Sequence, residues 1–229
     1  MTRVLAFTPS FKRPLYLRHC IMQLQMQSYP CSHGIYINAD TYKDASDATN
    51  YCLLLNDINI TKGSVVKILY GKQTHQHFNH MIALNQFSID DYDLFLKIDD
   101  DDIYRLDYVK HVVQDFESNH WDFSATCSTH VIKNSQIDFL DKMFFLKSKD
   151  KLHGHVLDET MPGTYAFSKK AIKKIMDNGS AYQWDTNYED PLWLKWMIED
   201  SEIKCAYRDS KDYTYIIHAD NYCKPRAVN

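Results

Sequence analysis

Short apolar runs alternate along the chain with longer stretches whose apolar residues recur three and four apart. This alternation builds β-α units around a largely parallel sheet. Val4 to Thr8 is the first predicted strand. Pro14 to Gln27 is a predicted helix with Leu15, Leu17, Ile21 and Leu24 on its apolar side and a proline in its first turn. Ile35 to Asn38, Val65 to Leu69 and Leu94 to Ile98 read as further strands, with helices over Asp44 to Asn56 and His77 to Phe87 between them. Beyond them, helices are predicted over Leu106 to Phe116, Ser168 to Met176 and Pro191 to Ile198, the second capped by Ser168 and ended near Asn178-Gly179. Asp122 to Cys127, Thr164 to Phe167 and Tyr213 to His218 read as strands. Between Ile132 and Met161 the pattern is poor, as in lids and binding loops.

In an open parallel sheet, ligands sit beyond the carboxyl ends of the strands. Four polar clusters fall at such ends: Thr8-Pro9-Ser10, Asn38-Ala39-Asp40, Tyr70-Gly71-Lys72-Gln73, and the run Asp99 to Asp102. Their predicted convergence on one edge implies one site.

Composition narrows what that site holds. With 229 residues, 45% apolar and 24% charged, the chain has the make-up of a globular protein with a full core. A net charge of -4 and the lack of a basic stripe argue against nucleic acid as a partner. The six cysteines form no CxxC pair and read as reduced apolar residues. The apolar start turns at Thr8-Pro9-Ser10, too early for a signal peptide, and no run approaches membrane-spanning length. A soluble, cytoplasmic chain without an integral membrane segment is the expectation.

The aspartates carry the sharpest signal. Four like charges released at the end of a buried apolar run cost repulsion and desolvation unless a cation offsets them. The six glycines form neither GxGxxG nor a GxxxxGK phosphate loop, so a bound nucleotide must rely on a metal. Oxygen ligands suit Mn2+ or Mg2+. Side chains two apart on an extended segment share a side, so the pair is Asp99 with Asp101 or Asp100 with Asp102. The purely structural alternative is an acidic turn capping the helix at Leu106.

These residues resemble the nucleotide-sugar glycosyltransferases of GT-A fold, particularly the family-2-like inverting enzymes. Phe7-Thr8-Pro9-Ser10-Phe11-Lys12-Arg13-Pro14-Leu15-Tyr16-Leu17, with Gln27-Ser28-Tyr29-Pro30, is similar to that family's N-terminal signature, and Ile98-Asp99-Asp100-Asp101-Asp102 to its DxD region. The resemblance implies an α/β, Rossmann-like fold with a mostly parallel central sheet flanked by helices and a small acceptor-side sheet and loop region. It implies one domain over 1–229, with a nucleotide-sugar-binding half at 1–104 and an acceptor-binding half at 105–229. Asp40 falls where the family reads the nucleotide base, and Asn79 lies in a stretch similar to its third helical segment. Thr8 and Pro9 in the signature, with Arg13 and Lys72 as candidate diphosphate or base contacts, complete the donor-binding set. The family's spacing places Asp99 near the ribose or metal and Asp101 as the direct ligand, with Asp100 and Asp102 as substitutes.

Tyr188-Glu189-Asp190-Pro191-Leu192-Trp193 resembles the family's ED motif, which makes Asp190 the candidate base for an acceptor hydroxyl and Glu189 the second choice. Asp190 before a proline is also a good helix N-cap. His218, at the end of an apolar strand, is a candidate third metal ligand or phosphate contact. Met161-Pro162-Gly163-Thr164 resembles the acceptor-side segment. His75, His77 and His80 read as a polar loop and helix start rather than a zinc site, Trp193 and Trp196 as core, and Trp184 as a candidate sugar-stacking residue.

The implied activity is metal-dependent, inverting transfer from a nucleoside-diphosphate sugar, a UDP-sugar favoured, to a saccharide or glycan hydroxyl. A nucleotidyltransferase or other phosphoryl-transfer enzyme could use the same aspartates, and a calcium-dependent binding module is the non-enzymatic alternative.

Overall fold

In a computed structural model of the chain, the described residues are 1–11, 13–38, 64–71, 75–126, 129–133, 136–140, 151–152, 155–156, 160–181, 189–208 and 212–217. The predicted helix at 44–56 and the residues Lys12, Asp40, Lys72, Trp184 and His218 lie outside them.

Strand β1 (Val4–Phe11) pairs in parallel with β2 (Cys31–Asn38) on one side and β4 (Leu94–Lys97) on the other, and β2 pairs in parallel with β3 (Val66–Gly71). The second half extends the same sheet. β6 (Phe123–Thr126), β11 (Ala166–Ser168) and β12 (Cys205–Arg208) complete a seven-stranded order β12-β6-β11-β4-β1-β2-β3 in which only β11 runs antiparallel. A second sheet is ordered β5-β13-β7-β8, from β5 (Ile103–Tyr104), β7 (Thr129–Lys133), β8 (Gln136–Leu140) and β13 (Tyr213–Ile217). β9 (Lys151–Leu152) and β10 (His155–Val156) form a two-stranded antiparallel pair.

Five helices flank these sheets among the described residues: α1 (Pro14–Gln25), α2 (Gln76–Leu84), α3 (Tyr108–Asn119), α4 (Lys169–Ala181) and α5 (Glu189–Glu199). The two-residue alternation of the strands decides which layer each side chain meets. Leu5, Phe7 and Phe95 pack with Met81, Ile172, Ile175, Trp193 and Met197 of α2, α4 and α5. Val4, Ala6, Leu94, Leu96 and Ile98 pack on the other face with Cys20 and Leu24 of α1 and Val109, Val112 and Val113 of α3. Both faces are covered, so the central strands are apolar runs rather than alternating ones. No helix among the described residues is long and apolar enough to cross a membrane.

Several expected boundaries move for physical reasons. β1 continues through Pro9 to Phe11. Arg3 and Phe7 accept hydrogen bonds from Leu94 and Ile98, so Pro9, in the same phase, turns its missing N–H toward the side where β4 has already ended. Leu15, expected on the apolar side of α1, is 67% exposed, and Cys20 takes a place on the buried face with Leu17, Ile21 and Leu24. The helix expected to stop near Gly179 runs to Ala181, with Gly179 buried within it beside the His77 ring. β7 to β10, β5 and β12 were not legible in the apolar pattern, being mostly short or set at the edge of a sheet.

At Gly34 this packing is close against backbone. A Cβ there would stand 2.1 Å from the backbone oxygen of Ala83, so α2 approaches β2 only because the side chain is missing. Gly34→Ala is expected to destabilise the fold by about 1–3 kcal/mol through overpacking against backbone. A urea-unfolding midpoint unchanged from the wild type would contradict this.

Candidate functional site

β1 to β4 run in the same direction, which brings the Thr8-Pro9-Ser10 segment, Asn38, Gly71 and the aspartate run to one edge of the sheet. Each carboxylate of the run has its own holder. Ser10 Oγ donates to Asp100, while Arg13 spans the next two, with Nη2 3.0 Å from Asp100 Oδ1 and Nη1 paired with Asp101. Tyr213 Oη donates to Asp102 Oδ2 at 2.5 Å, and the Ile216 N–H donates to Asp102 Oδ1 at 3.1 Å. Lys97 Nζ lies 2.8 Å from Asp99 Oδ1.

The surrounding backbone is held as firmly. Gln23 of α1 accepts from the Tyr104 N–H and donates to the Asp102 carbonyl. Gln27 donates to the Arg105 carbonyl and accepts from the Val109 N–H. Tyr104 Oη accepts from the Asp99 N–H and donates to the Gly163 carbonyl, both at 2.9 Å. A Cβ on Gly163 would stand 2.8 Å from Asp102 Oδ2 and 3.0 Å from Asp99 Oδ2, so this turn covers the carboxylates because it is glycine. Arg208 at the end of β12 is buried and donates to the Thr164 carbonyl and to Ser124 Oγ, fixing the same turn from behind.

The four acids are electrostatically unequal. Burial pushes Asp100 up to about 7 against the opposing pull of Arg13. Burial, then the charges of Asp101 and Asp99, raises Asp102 further above the usual carboxylate range. Burial acts on Asp99 in the same sense, but the Lys97 ammonium reverses it and holds Asp99 below its ordinary value. Asp99 is also the most open of the four, its side chain 28% exposed against 9% for Asp101 and 1% for Asp100.

Asp190 enters from the opposite side of the chain. It lies in the first turn of α5, which begins at Glu189, so it is not the N-cap that the following proline implied. One turn on, Trp193 is fully buried against Phe7, His80 and Phe167 and donates to His77 Nδ1 at 2.9 Å. Residues three apart share a helix face, so burying Trp193 directs Asp190 toward the end of β4. Asp190 Oδ1 is 3.2 Å from Lys97 Nζ. Glu189 begins the same helix.

The site thus gathers Ser10, Arg13, Lys97, the aspartate run and Asp190. The acidic run does not cap a helix, since α3 begins at Tyr108 behind Asp107. Thr8 is at the same edge but fully buried, bonded to His33 Nε2 at 2.8 Å, and Pro9 and Asn79 are buried as well. His77 and His80 are buried helix residues under Trp193 rather than a polar loop. Among the described residues no three His, Cys, Asp or Glu form a cation cage. Ser10 belonged to the polar cluster read at this edge, whereas Lys97, Tyr104, Gln23 and Tyr213 escaped sequence reasoning. Only Lys97 carried a signal, as a charged residue inside the apolar run Leu94-Phe95-Leu96-Lys97-Ile98.

No protein-family model and no curated protein matches the sequence. The fold does match solved structures. TarS 1–349 from S. aureus in complex with UDP-GlcNAc superposes with a TM-score of 0.65 at 14% identity, covering 96% of this chain and 60% of that one. The mannosyltransferase PcManGT from Pyrobaculum calidifontis, in complex with GDP-Man and Mn2+, gives 0.62 at 9% identity, over 96% of this chain and 59% of that one. The 4-diphosphocytidyl-2C-methyl-D-erythritol synthase from Anaerococcus prevotii DSM 20548 gives 0.55 at 13% identity, over 92% and 89%. The chain therefore has the expected GT-A type of fold and spans about 60% of the length of the TarS fragment.

His33 ties the site to stability. Its ring is buried, and burial lowers it to about 3, so it stays neutral in the folded protein while an unfolded chain protonates it near 6.5. The unfolded state then binds more protons as pH falls below 6.5, and stability is lost toward acid. Asp100, raised to about 7, acts in the opposite sense between about pH 4 and 7, so a difference measurement isolates the histidine. The stability of wild type minus that of His33→Gln is expected to fall by about 2 kcal/mol between pH 7 and pH 5. Parallel urea-denaturation curves at both pH values would refute this.

Proposed function

We propose that this chain is a metal-dependent, inverting glycosyltransferase that moves a sugar from a nucleoside-diphosphate donor, a UDP-sugar favoured, to a hydroxyl of a saccharide or glycan. The observation that carries the reading is the meeting of two distant motifs, Asp99 and Asp190, on the single ammonium of Lys97 at the carboxyl edge of the parallel sheet. Neighbours of the same fold bind UDP-GlcNAc, and GDP-Man with Mn2+, which supports a sugar nucleotide as the ligand class.

The donor set fits a hard divalent cation. Asp102 has both oxygens engaged by Tyr213 and Ile216, and Asp100 is the least exposed of the pairs with Arg13, which favours Asp99 and Asp101 as the ligand pair. Mn2+ or Mg2+ commonly takes one or two carboxylates and completes its sphere with water and substrate phosphates, so two aspartates suffice. When bound there, such an ion supplies Lewis-acid stabilisation of the departing diphosphate. His218 is the candidate additional ligand from the chain itself. Asp40, Lys72, Thr8, Pro9 and Asn79 remain the candidate nucleotide-side set from the sequence, with Arg13 beside Asp100 and Asp101 for the diphosphate charge.

Asp190 is the base, with Glu189 as the second candidate. It takes the acceptor's hydroxyl proton while that oxygen bonds to the anomeric carbon. The bond from that carbon to the diphosphate oxygen breaks, its electron pair leaving on the nucleoside diphosphate. One displacement inverts the anomeric centre. Oδ1 of Asp190 is buried on the Lys97 side, yet the side chain keeps 26% exposure, so its open surface lies on its other atoms. The matching fold of the diphosphocytidyl synthase favours a nucleotidyl-transfer enzyme as the second reading, in which Asp190 has no assigned task.

Calorimetric titration with UDP, with and without Mn2+, and a hydrolysis screen over UDP-, GDP- and dTDP-sugars test the reading. Metal-dependent UDP binding and release of free sugar are expected. Binding of metal alone would indicate a cation-binding module instead. Asp101→Ala is expected to lose metal-dependent UDP binding, and Asp190→Asn to keep it while turnover falls by about 10²–10⁴-fold. Undiminished turnover in Asp190→Asn would remove it as the base.

A further inference from the structure

The phase of β4 sends Phe95 and Lys97 to the same side of the sheet, under α2 and α5, where Phe7, His80 and Trp193 pack. A core side chain belongs in that position, and an ammonium there costs several kcal/mol of desolvation unless paired. Lys97 is 2% exposed, and its Nζ lies 2.8 Å from Asp99 Oδ1 and 3.2 Å from Asp190 Oδ1. Its two carboxylates come from the ends of different elements, one just past β4 and the other at the start of α5, 91 residues apart in sequence by their numbers.

We propose that Lys97 is the positioning residue of the transfer step, its ammonium fixing the Asp190 carboxylate in register with Asp99. The proposal rests on the reading of Asp190 as the base. One oxygen of Asp190 is turned inward onto Lys97, which fixes the side-chain rotamer and leaves the rest of the carboxylate to the open edge. Asp99 is the most accessible member of the aspartate run, so the same ion that orients the base also touches the donor side. Without it, Asp99 and Asp190 lose the ammonium they share, and Asp190 loses an ion pair that holds its Oδ1 inward. Orientation of a reacting group is worth orders of magnitude in rate.

The test is a double-mutant cycle on Lys97→Met and Asp190→Asn. It uses hydrolysis of whichever UDP-, GDP- or dTDP-sugar the screen selects, together with calorimetry of that sugar's nucleoside diphosphate with Mn2+. Lys97→Met is expected to lower kcat about 100-fold, to weaken the nucleotide Kd through its contact with Asp99 by no more than about tenfold, and to have no further effect on kcat in the Asp190→Asn background. Lys97→Gln keeps N–H donors in a smaller side chain. It is expected to fall between the wild type and Lys97→Met in kcat, and it carries the comparison if Lys97→Met does not fold. Multiplying losses in the double variant, or a nucleotide Kd weakened in proportion to kcat, overturns the proposal. Full kcat in the Lys97 variants beside an impaired Asp190→Asn overturns it alone. Full kcat in Asp190→Asn overturns the base reading and this proposal together.

Discussion

The constraint on which the site depends is a crowd of buried and half-buried carboxylates that, among the described residues, two cations pair directly. Asp99 to Asp102 and Asp190 meet at the end of β4, and the cations placed among them by direct ion pairs are Arg13 and Lys97. Burial and mutual repulsion lift Asp100 and Asp102 from the usual carboxylate range. In the proposed reading, one divalent cation would offset both repulsion and desolvation there.

The rest of the molecule fixes where those charges stand. Gln23 of α1 and Gln27 just beyond it hold the backbone that follows the run, Tyr104 joins the Asp99 amide to the Gly163 carbonyl, and Tyr213 brings the second sheet onto Asp102. Arg208 braces the turn from the far edge of the main sheet. These contacts span strands from both halves of the chain, so the site forms only when the whole sheet has assembled. Three of the four acids are then shielded, and exposure falls from Asp99 through Asp101 to Asp100.

A fold common to proteins of different chemistry does not by itself select a reaction. In the proposed reading that selection rests on Asp190, whose place in the first turn of α5 puts it near the positive end of the helix dipole as well as near Lys97. The helix stands where it does because Trp193 is packed among Phe7, His80 and Phe167, so an aromatic core contact sets the position of an acid at the surface edge.

The apolar runs of β1 to β4 and the helical spacing between them were legible in the sequence because strands buried on both faces read as continuous hydrophobic stretches. That pattern determined the parallel half of the sheet, the common edge of its strand ends, and the aspartates as the chemical feature of that edge. Short and edge strands such as β5, β9, β10 and β12 carry too few residues for a period to register. The division of labour within Asp99 to Asp102 was beyond the sequence as well, since four identical residues differ only in what surrounds them. Tertiary structure alone decided that Ser10 and Arg13 take Asp100, that Tyr213 takes Asp102, and that Lys97 joins Asp99 to Asp190. Hydrophobic period is a local property that any neighbour along the chain reveals, whereas an ion pair across 91 positions exists only after burial has brought its partners together.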